Sequence, residues 1–212
     1  MNPVDRRRRL GVLVSGRGSN LQALIDATLS GGLDATVVVV ISNRPDAAGL
    51  ERARRSGIDA IVVDHRGWHS RDDYDAAILE ELTKRDVGLV CLAGYMRLVG
   101  SVLLSAFPNA ILNIHPSLLP AFPGMNAQHQ AIEHGVKVSG VTVHFVTSEL
   151  DGGPIILQRT VPVLDDDTRD ALADRILEVE HRAYPEAVRI VLAGGWRIDG
   201  RRFVRPADAP SV

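Results

Sequence analysis

Asn113-Ile114-His115-Pro116 closes a short apolar run that begins at Ile111, and an extended backbone sends Asn113 and His115 to the same side. An amide donor beside a titratable imidazole suits acyl transfer, in which a carbonyl oxygen gains charge and a proton must move. Asn-x-His fits a structural histidine at a strand end equally well. Asp151 lies in Ser148-Glu149-Leu150-Asp151-Gly152-Gly153-Pro154, where an Asx turn is the commoner reason for an aspartate beside glycines. If Asp151 faces His115, its charge raises the imidazole pKa and holds the tautomer, making the histidine a proton donor near neutral pH. His144, alternating within Thr142–Val146, reads as a core or supporting residue.

A second group is Ser15-Gly16-Arg17-Gly18-Ser19-Asn20-Leu21. A glycine-rich turn opening a helix lets backbone N–H groups approach an anion, with the positive end of the helix behind them. The turn lacks Gly-Lys-Ser/Thr and Gly-x-Gly-x-x-Gly, which disfavours a nucleoside triphosphate or a dinucleotide. The seven histidines and one cysteine show no zinc-ligand spacing, so no metal is expected. Cys91, among Leu89, Val90 and Leu92, reads as a small core hydrophobe, and no disulfide can form within the chain.

The elements that must hold these residues follow from periodicity. Strands are expected at Leu10–Val14, Val37–Ile41, Ile58–Val63, Val87–Leu92 and Ile111–Ile114. Helices are expected at Ser19–Leu29, Asp46–Arg55 before Gly57, from Ser70 as N-cap, and at Ser101–Phe107. This alternation is that of βαβ units around a parallel sheet. Val141–Val146 and Ile155–Val161 follow one another across a turn, which implies antiparallel pairing. A helix is expected from Thr168 to Leu192 with a bend at Pro185, then a hairpin over Trp196–Val204 around Asp199-Gly200. The expected fold is α/β: a doubly wound, mostly parallel sheet with antiparallel C-terminal strands.

With 212 residues, one domain over 1–204 and a mobile tail over 205–212 are expected. A composition of 45% hydrophobic and 24% charged residues is that of a globular protein. No apolar run approaches the ~20 residues of a membrane helix. A net charge of -2 leaves the basic run Arg6–Arg9 without a basic surface around it, so it reads as a frayed, solvated tail, with neither nucleic acid nor membrane as a partner. A cytoplasmic location and a monomer or weak homodimer are expected.

Taken together, these segments resemble the folate-dependent formyltransferases, from Val12 to about Pro185. Asn113-x-His115-Pro116-Ser117-Leu118-Leu119-Pro120 with Asp151-x-Gly153-Pro154 carries the resemblance to the wider family. Ser15-Gly16-x-Gly18-Ser19-Asn20 narrows it to the branch whose acceptor is the amine of a ribonucleotide. Ser42-Asn43-Arg44, Ala93-Gly94-Tyr95-Met96-Arg97, Gly135–Gly140, and Glu180-His181 with Tyr184-Pro185 also match. The resemblance implies a Rossmann-like fold, 10-formyltetrahydrofolate as co-substrate, and formyl transfer to glycinamide ribonucleotide.

By the same resemblance Asn113 and His115 stabilise the oxyanion, His115 gives a proton to the leaving folate nitrogen, and Asp151 tunes the histidine and relays protons. Gly18, Ser19 and Asn20 hold the phosphate, and Glu180 the ribose. The folate lies along Met96, Arg97, Leu98 and Val99, against Asn113, Val146, Thr147 and Asp151, with Arg71 on its glutamate carboxylate. Family members often have Gln or Lys where Leu177 stands and histidine where Gln128 stands, beside His129. Formyltransferases acting on methionyl-tRNA or amino sugars and the formyltetrahydrofolate hydrolase would use the same chemistry. The first is expected to add a basic C-terminal domain beyond Val204, and the last an N-terminal domain. A binding module without catalysis would be expected to have lost Asn113, His115 or Asp151.

Overall fold

The computed structural model describes residues 6–206; residues 207–212 of the expected tail lie outside the described residues. The chain divides into two compact units, Met1–Asn113 and Ile114–Val212.

In the first unit the strands are β1 (Arg9–Val14), β2 (Thr36–Ser42), β3 (Asp59–Val62), β4 (Leu89–Leu92) and the start of β5 (Ile111–His115), within which the division falls. Their order is β3-β2-β1-β4-β5 and every pairing is parallel. Because β1 pairs with β2 on one side and β4 on the other, the chain reverses its direction of travel across the sheet there. The carboxyl ends of β1 and β4 are therefore the switch point at which open α/β sheets bind ligands. The helices are α1 (Ser19–Leu29), α2 (Ala48–Arg55), α3 (Arg71–Thr83) and α4 (Ser101–Ala106).

Burial of Leu21, Leu24 and Ile25 on α1, and of Tyr74, Ile78 and Leu82 on α3, follows the helical spacing of these residues. Helix α3 begins at Ser70, whose Oγ accepts from Asp73 N at 3.1 Å. It packs so closely on β1 that a Cβ on Gly11 would lie 2.5 Å from Leu82 Cδ2. Cys91 is fully buried in β4, as expected. The arginine run departs from the frayed tail expected of it: Arg6 and Arg7 are helical, and Arg9 opens β1 with its Nε donating to Arg85 O at 2.9 Å. The strand thus begins one residue further upstream than apolar content alone suggests.

The second unit contains α5 (Ala127–Glu133), β6 (Val138–Phe145), β7 (Ile155–Pro162), α6 (Arg169–Ala193), β8 (Arg197–Asp199) and β9 (Arg202–Val204). β6 and β7 pair antiparallel, and β8 and β9 form the expected hairpin, with β9 parallel to β7. Phe145, Trp196 and Phe203 stack against one another with centroids 5.2–5.9 Å apart, attaching the hairpin to the end of β6. Helix α5 has no counterpart in the sequence reading, because its buried face is only Ala127 and Ala131. Helix α6 continues through Pro185 to Ala193.

The β7–α6 connection is tied to the helix by Asp167, whose carboxylate takes both arms of Arg175 at 2.7 and 2.8 Å and the Leu164 N–H at 2.8 Å. The Arg175 hydrogen bonds, then that of Leu164, hold the Asp167 carboxyl down at about 2. An unfolded aspartate titrates near ~3.9, so this contribution is complete above about pH 4 and is lost as pH falls through the folded value. Asp167→Asn should therefore lower the urea midpoint at pH 7. The gap from wild type should narrow steadily between pH 4 and pH 2; a gap independent of pH would contradict the assignment.

Candidate active site

His115 is the last residue of β5, and Pro116, without an N–H for the ladder, ends the strand there. The loop that follows is fastened by Thr142 of β6, whose Oγ1 donates to Ser117 O at 2.7 Å and accepts from Leu119 N at 3.0 Å. Gln158 of β7 donates to Leu119 O at 2.9 Å. So held, the loop brings Phe122 O to 2.9 Å from His115 Nε2. A carbonyl oxygen can only accept, so Nε2 carries a hydrogen and Nδ1 is the nitrogen that exchanges its proton. Nδ1 faces Asp151 Oδ2 at 3.5 Å, so the expected pairing of these residues is present.

Asp151 reaches this position on a sharply folded turn. Its φ is 50, in the left-handed region. A Cβ on Gly153 would lie 1.9 Å from Phe145 O, so this turn cannot close with any other residue there. One carboxylate oxygen accepts from Gly124 N at 2.8 Å. The other lies 3.7 Å from His144 Nε2, while His144 Nδ1 donates to Phe145 O at 2.8 Å. The supporting place expected for His144 is thus occupied.

Burial works to raise the Asp151 carboxyl, but nearby His144, the hydrogen bond from Gly124 N and nearby His115 outweigh it and hold the group below its ordinary value. His115 departs from expectation. Burial, first among the causes, lowers its pKa; the Phe122 carbonyl and the Asp151 charge push upward, His144 pushes downward, and the net direction is down. Asp151 does favour the imidazolium, but it stands at 3.5 Å and divides its charge between two histidines. In the free protein His115 is accordingly poised as the neutral base.

Asn113 precedes His115 by two residues on β5 and is half-buried, which puts its side chain on the same side of the strand. Glu180 is on the buried face of α6. Val146 and Thr147 follow β6 directly, half-buried. In the first unit Gly18 stands at the N-cap of α1 with φ 70 and no side-chain cap. The first turn, with Ser19 half-buried and Asn20 buried, therefore keeps the N–H geometry of an anion site. A Cβ on Gly18 would lie 2.6 Å from Gly49 Cα, Gly49 N donates to Gly16 O at 3.0 Å, and Arg52 Nε donates to Arg17 O at 2.9 Å. The loop is thus set by backbone packing against α2. Arg71 is exposed at the first position of α3, and Met96, Arg97, Leu98 and Val99 lie on the irregular segment after β4. Gly124, Phe122, Thr142 and Gln158 were not singled out from sequence, since all four act through backbone atoms or by bonding to backbone. Among the described residues no cluster of His, Cys, Asp and Glu could hold a metal ion, and no helix is long and apolar enough to cross a membrane.

The strand order is that of an open, doubly wound α/β sheet, and the chain belongs to the formyl transferase family, which it matches over residues 8–188. It is 44% identical over 190 residues to phosphoribosylglycinamide formyltransferase of Escherichia coli, covering 90% of this chain and 87% of that one. Identity is 48% over 192 residues with the trifunctional purine biosynthetic protein adenosine-3 of Drosophila melanogaster; this covers 90% of the chain but 14% of that much longer protein. The crystal structure of glycinamide ribonucleotide transformylase 1 from Symbiobacterium toebii superposes with a TM-score of 0.91 at 59% identity, covering 93% of each chain.

Two outcomes are expected. Followed by NMR, His115 should titrate below the ordinary ~6.5, and Asp151→Asn should move its midpoint further down, because the carboxylate is one of the upward influences; a rise would refute the charge balance described. Gly18→Ala should cost about 1–2 kcal/mol for the left-handed backbone alone, more with the Gly49 clash. It should also speed amide exchange at Ser19 and Asn20; unchanged exchange would mean the loop is not set by that packing.

Proposed function

We propose that the protein transfers the formyl group of 10-formyltetrahydrofolate to the amine of glycinamide ribonucleotide, giving formylglycinamide ribonucleotide and tetrahydrofolate, a step of de novo purine synthesis. The observation that carries this reading is the buried His115–Asp151 pair at the end of the Asn-x-His strand, in a chain matched to the formyl transferase family through both units. That continuous match supports treating residues 1–204 as one functional domain.

The amine attacks the formyl carbon, and the carbonyl electrons move onto oxygen. Asn113 donates to that oxyanion together with His115. Negative charge beside a buried imidazole raises its pKa, so the histidine that is neutral at rest becomes the imidazolium as the intermediate forms. The proton that the attacking amine loses passes through water and Asp151 to His115, and His115 gives it to the folate nitrogen as the bond from carbon to that nitrogen breaks. In the same reading Gly18, Ser19 and Asn20 hold the phosphate and Glu180 the ribose hydroxyls. Met96, Arg97, Leu98 and Val99 line the folate with Val146 and Thr147, and Arg71 meets its glutamate carboxylate. An apolar wall and a guanidinium are what that ligand requires.

An absorbance assay with 10-formyltetrahydrofolate, with and without glycinamide ribonucleotide, tests the reading. Deformylation should depend on the ribonucleotide. Equal turnover in water would replace transfer with hydrolysis, and folate binding without turnover would make the chain a binding module. Asp151→Asn should lower kcat by about 10²–10³-fold with ribonucleotide affinity nearly unchanged; collapse of that affinity would remove Asp151 from proton handling.

A further inference from the structure

Residues 93–100, between β4 and α4, have no regular secondary structure. They nevertheless present two large apolar side chains to solvent, Met96 at 68% and Leu98 at 56% exposure. Backbone groups in such a segment cannot satisfy one another in a ladder, so its shape depends on what else they reach.

At the near end they reach Ser15, the buried residue just beyond β1. Ser15 N donates to Gly94 O at 3.1 Å, and its Oγ accepts from Met96 N at 2.8 Å. The same hydroxyl donates to Asn43 Oδ1 at 2.6 Å, which fixes its rotamer from the end of β2. At the far end Gly100 N donates to Oδ2 of Asp75 at 2.7 Å, a carboxylate on α3 that is only 1% exposed. A Cβ on Gly100 would lie 2.6 Å from that oxygen and 3.0 Å from Arg71 Cδ, so the segment, Asp75 and the stem of Arg71 are packed without a gap. Between these anchors the hydroxyls of Tyr95 and Tyr74 are 3.0 Å apart, and the Arg97 guanidinium lies 5.2 Å from the Tyr74 ring centre.

We propose that Ser15 and Asp75 are positioning residues for the folate: they hold segment 93–100 at both ends, so that Met96 and Leu98 form a wall before the ligand arrives. The inference rests on the reading that residues 96–99 line the folate. The physical gain is preorganisation: a loop already ordered leaves less entropy to be lost on binding. Ser15 stands at the β1–β4 switch point, directly before the phosphate loop, but its backbone bond to Gly94 does not need its hydroxyl. Loss of the hydroxyl should therefore release the folate segment and spare the phosphate loop.

The test is equilibrium binding of two probes, an unreactive 10-formyl-dideazafolate analogue and glycinamide ribonucleotide, to wild type, Ser15→Ala, Asp75→Ala and Asp75→Asn, with steady-state kinetics on each. One buried hydrogen bond lost corresponds to about tenfold in affinity. Ser15→Ala and Asp75→Ala should each weaken the folate analogue about that much and raise the folate KM, with kcat at saturating folate and ribonucleotide affinity within about twofold. Asp75→Asn, which keeps an oxygen for Gly100 N, should recover most of the loss. Unchanged folate affinity in both alanine variants overturns the proposal. So does an equal loss of both ligands, since that is the mark of general destabilisation, and so does an asparagine variant no better than alanine. If wild type binds the ribonucleotide but not the folate analogue, the functional reading itself fails, and the inference falls with it.

Discussion

Asp151 is a carboxylate held largely out of water, and most of the second unit's local structure follows from keeping it ionised there. Burial of a charge costs several kcal/mol unless hydrogen bonds and opposite charge replace the lost water. Here Gly124 N, His144 and His115 surround the group, and the result is a carboxyl below its ordinary pKa despite burial. Each partner needs support of its own. The Phe145 carbonyl fixes the ring of His144, and the Phe122 carbonyl fixes that of His115. Thr142 and Gln158 then fasten the loop leading to Phe122.

The same arrangement accounts for a histidine that is a base at rest. Asp151 supplies orientation and a modest upward pull, but it does not overcome the burial of His115. A site in which the imidazole charges only when negative charge appears beside it spends its electrostatic stabilisation on the reacting state. A fully ion-paired His115 would have spent it beforehand.

In the first unit the governing constraint is the order β3-β2-β1-β4-β5. Parallel strands that diverge from β1 leave a crevice at the carboxyl ends of β1 and β4, and the loops emerging there have no ladder to shape them. Close packing and single hydrogen bonds do so instead: Gly18 against Gly49, Ser15 to Met96, Asp75 to Gly100. Irregular segments placed on a rigid sheet in this way can carry chemistry without being mobile.

The amino-acid sequence by itself determined the α/β alternation, the strand that ends at His115, the antiparallel β6–β7 pair and the C-terminal hairpin. Local periodicity, proline and glycine carry that information within a few residues of where it is used. It also supplied Asn113, His115 and Asp151 as candidates, and the family pattern that joined them. Only the tertiary structure decided which way the His115 proton equilibrium leans, because burial and the second histidine depend on residues that lie far apart in the chain. Helix α5 and the pairing of Arg9 were likewise settled there: two alanines and a charged strand end have too little apolar content to signal an element before neighbours pack on them. Asp75 and Gly124 escaped notice, and Ser15 was read only as the start of the anion-binding turn, for a related reason: each acts through a hydrogen bond to or from the backbone, and backbone partners leave no trace in residue type.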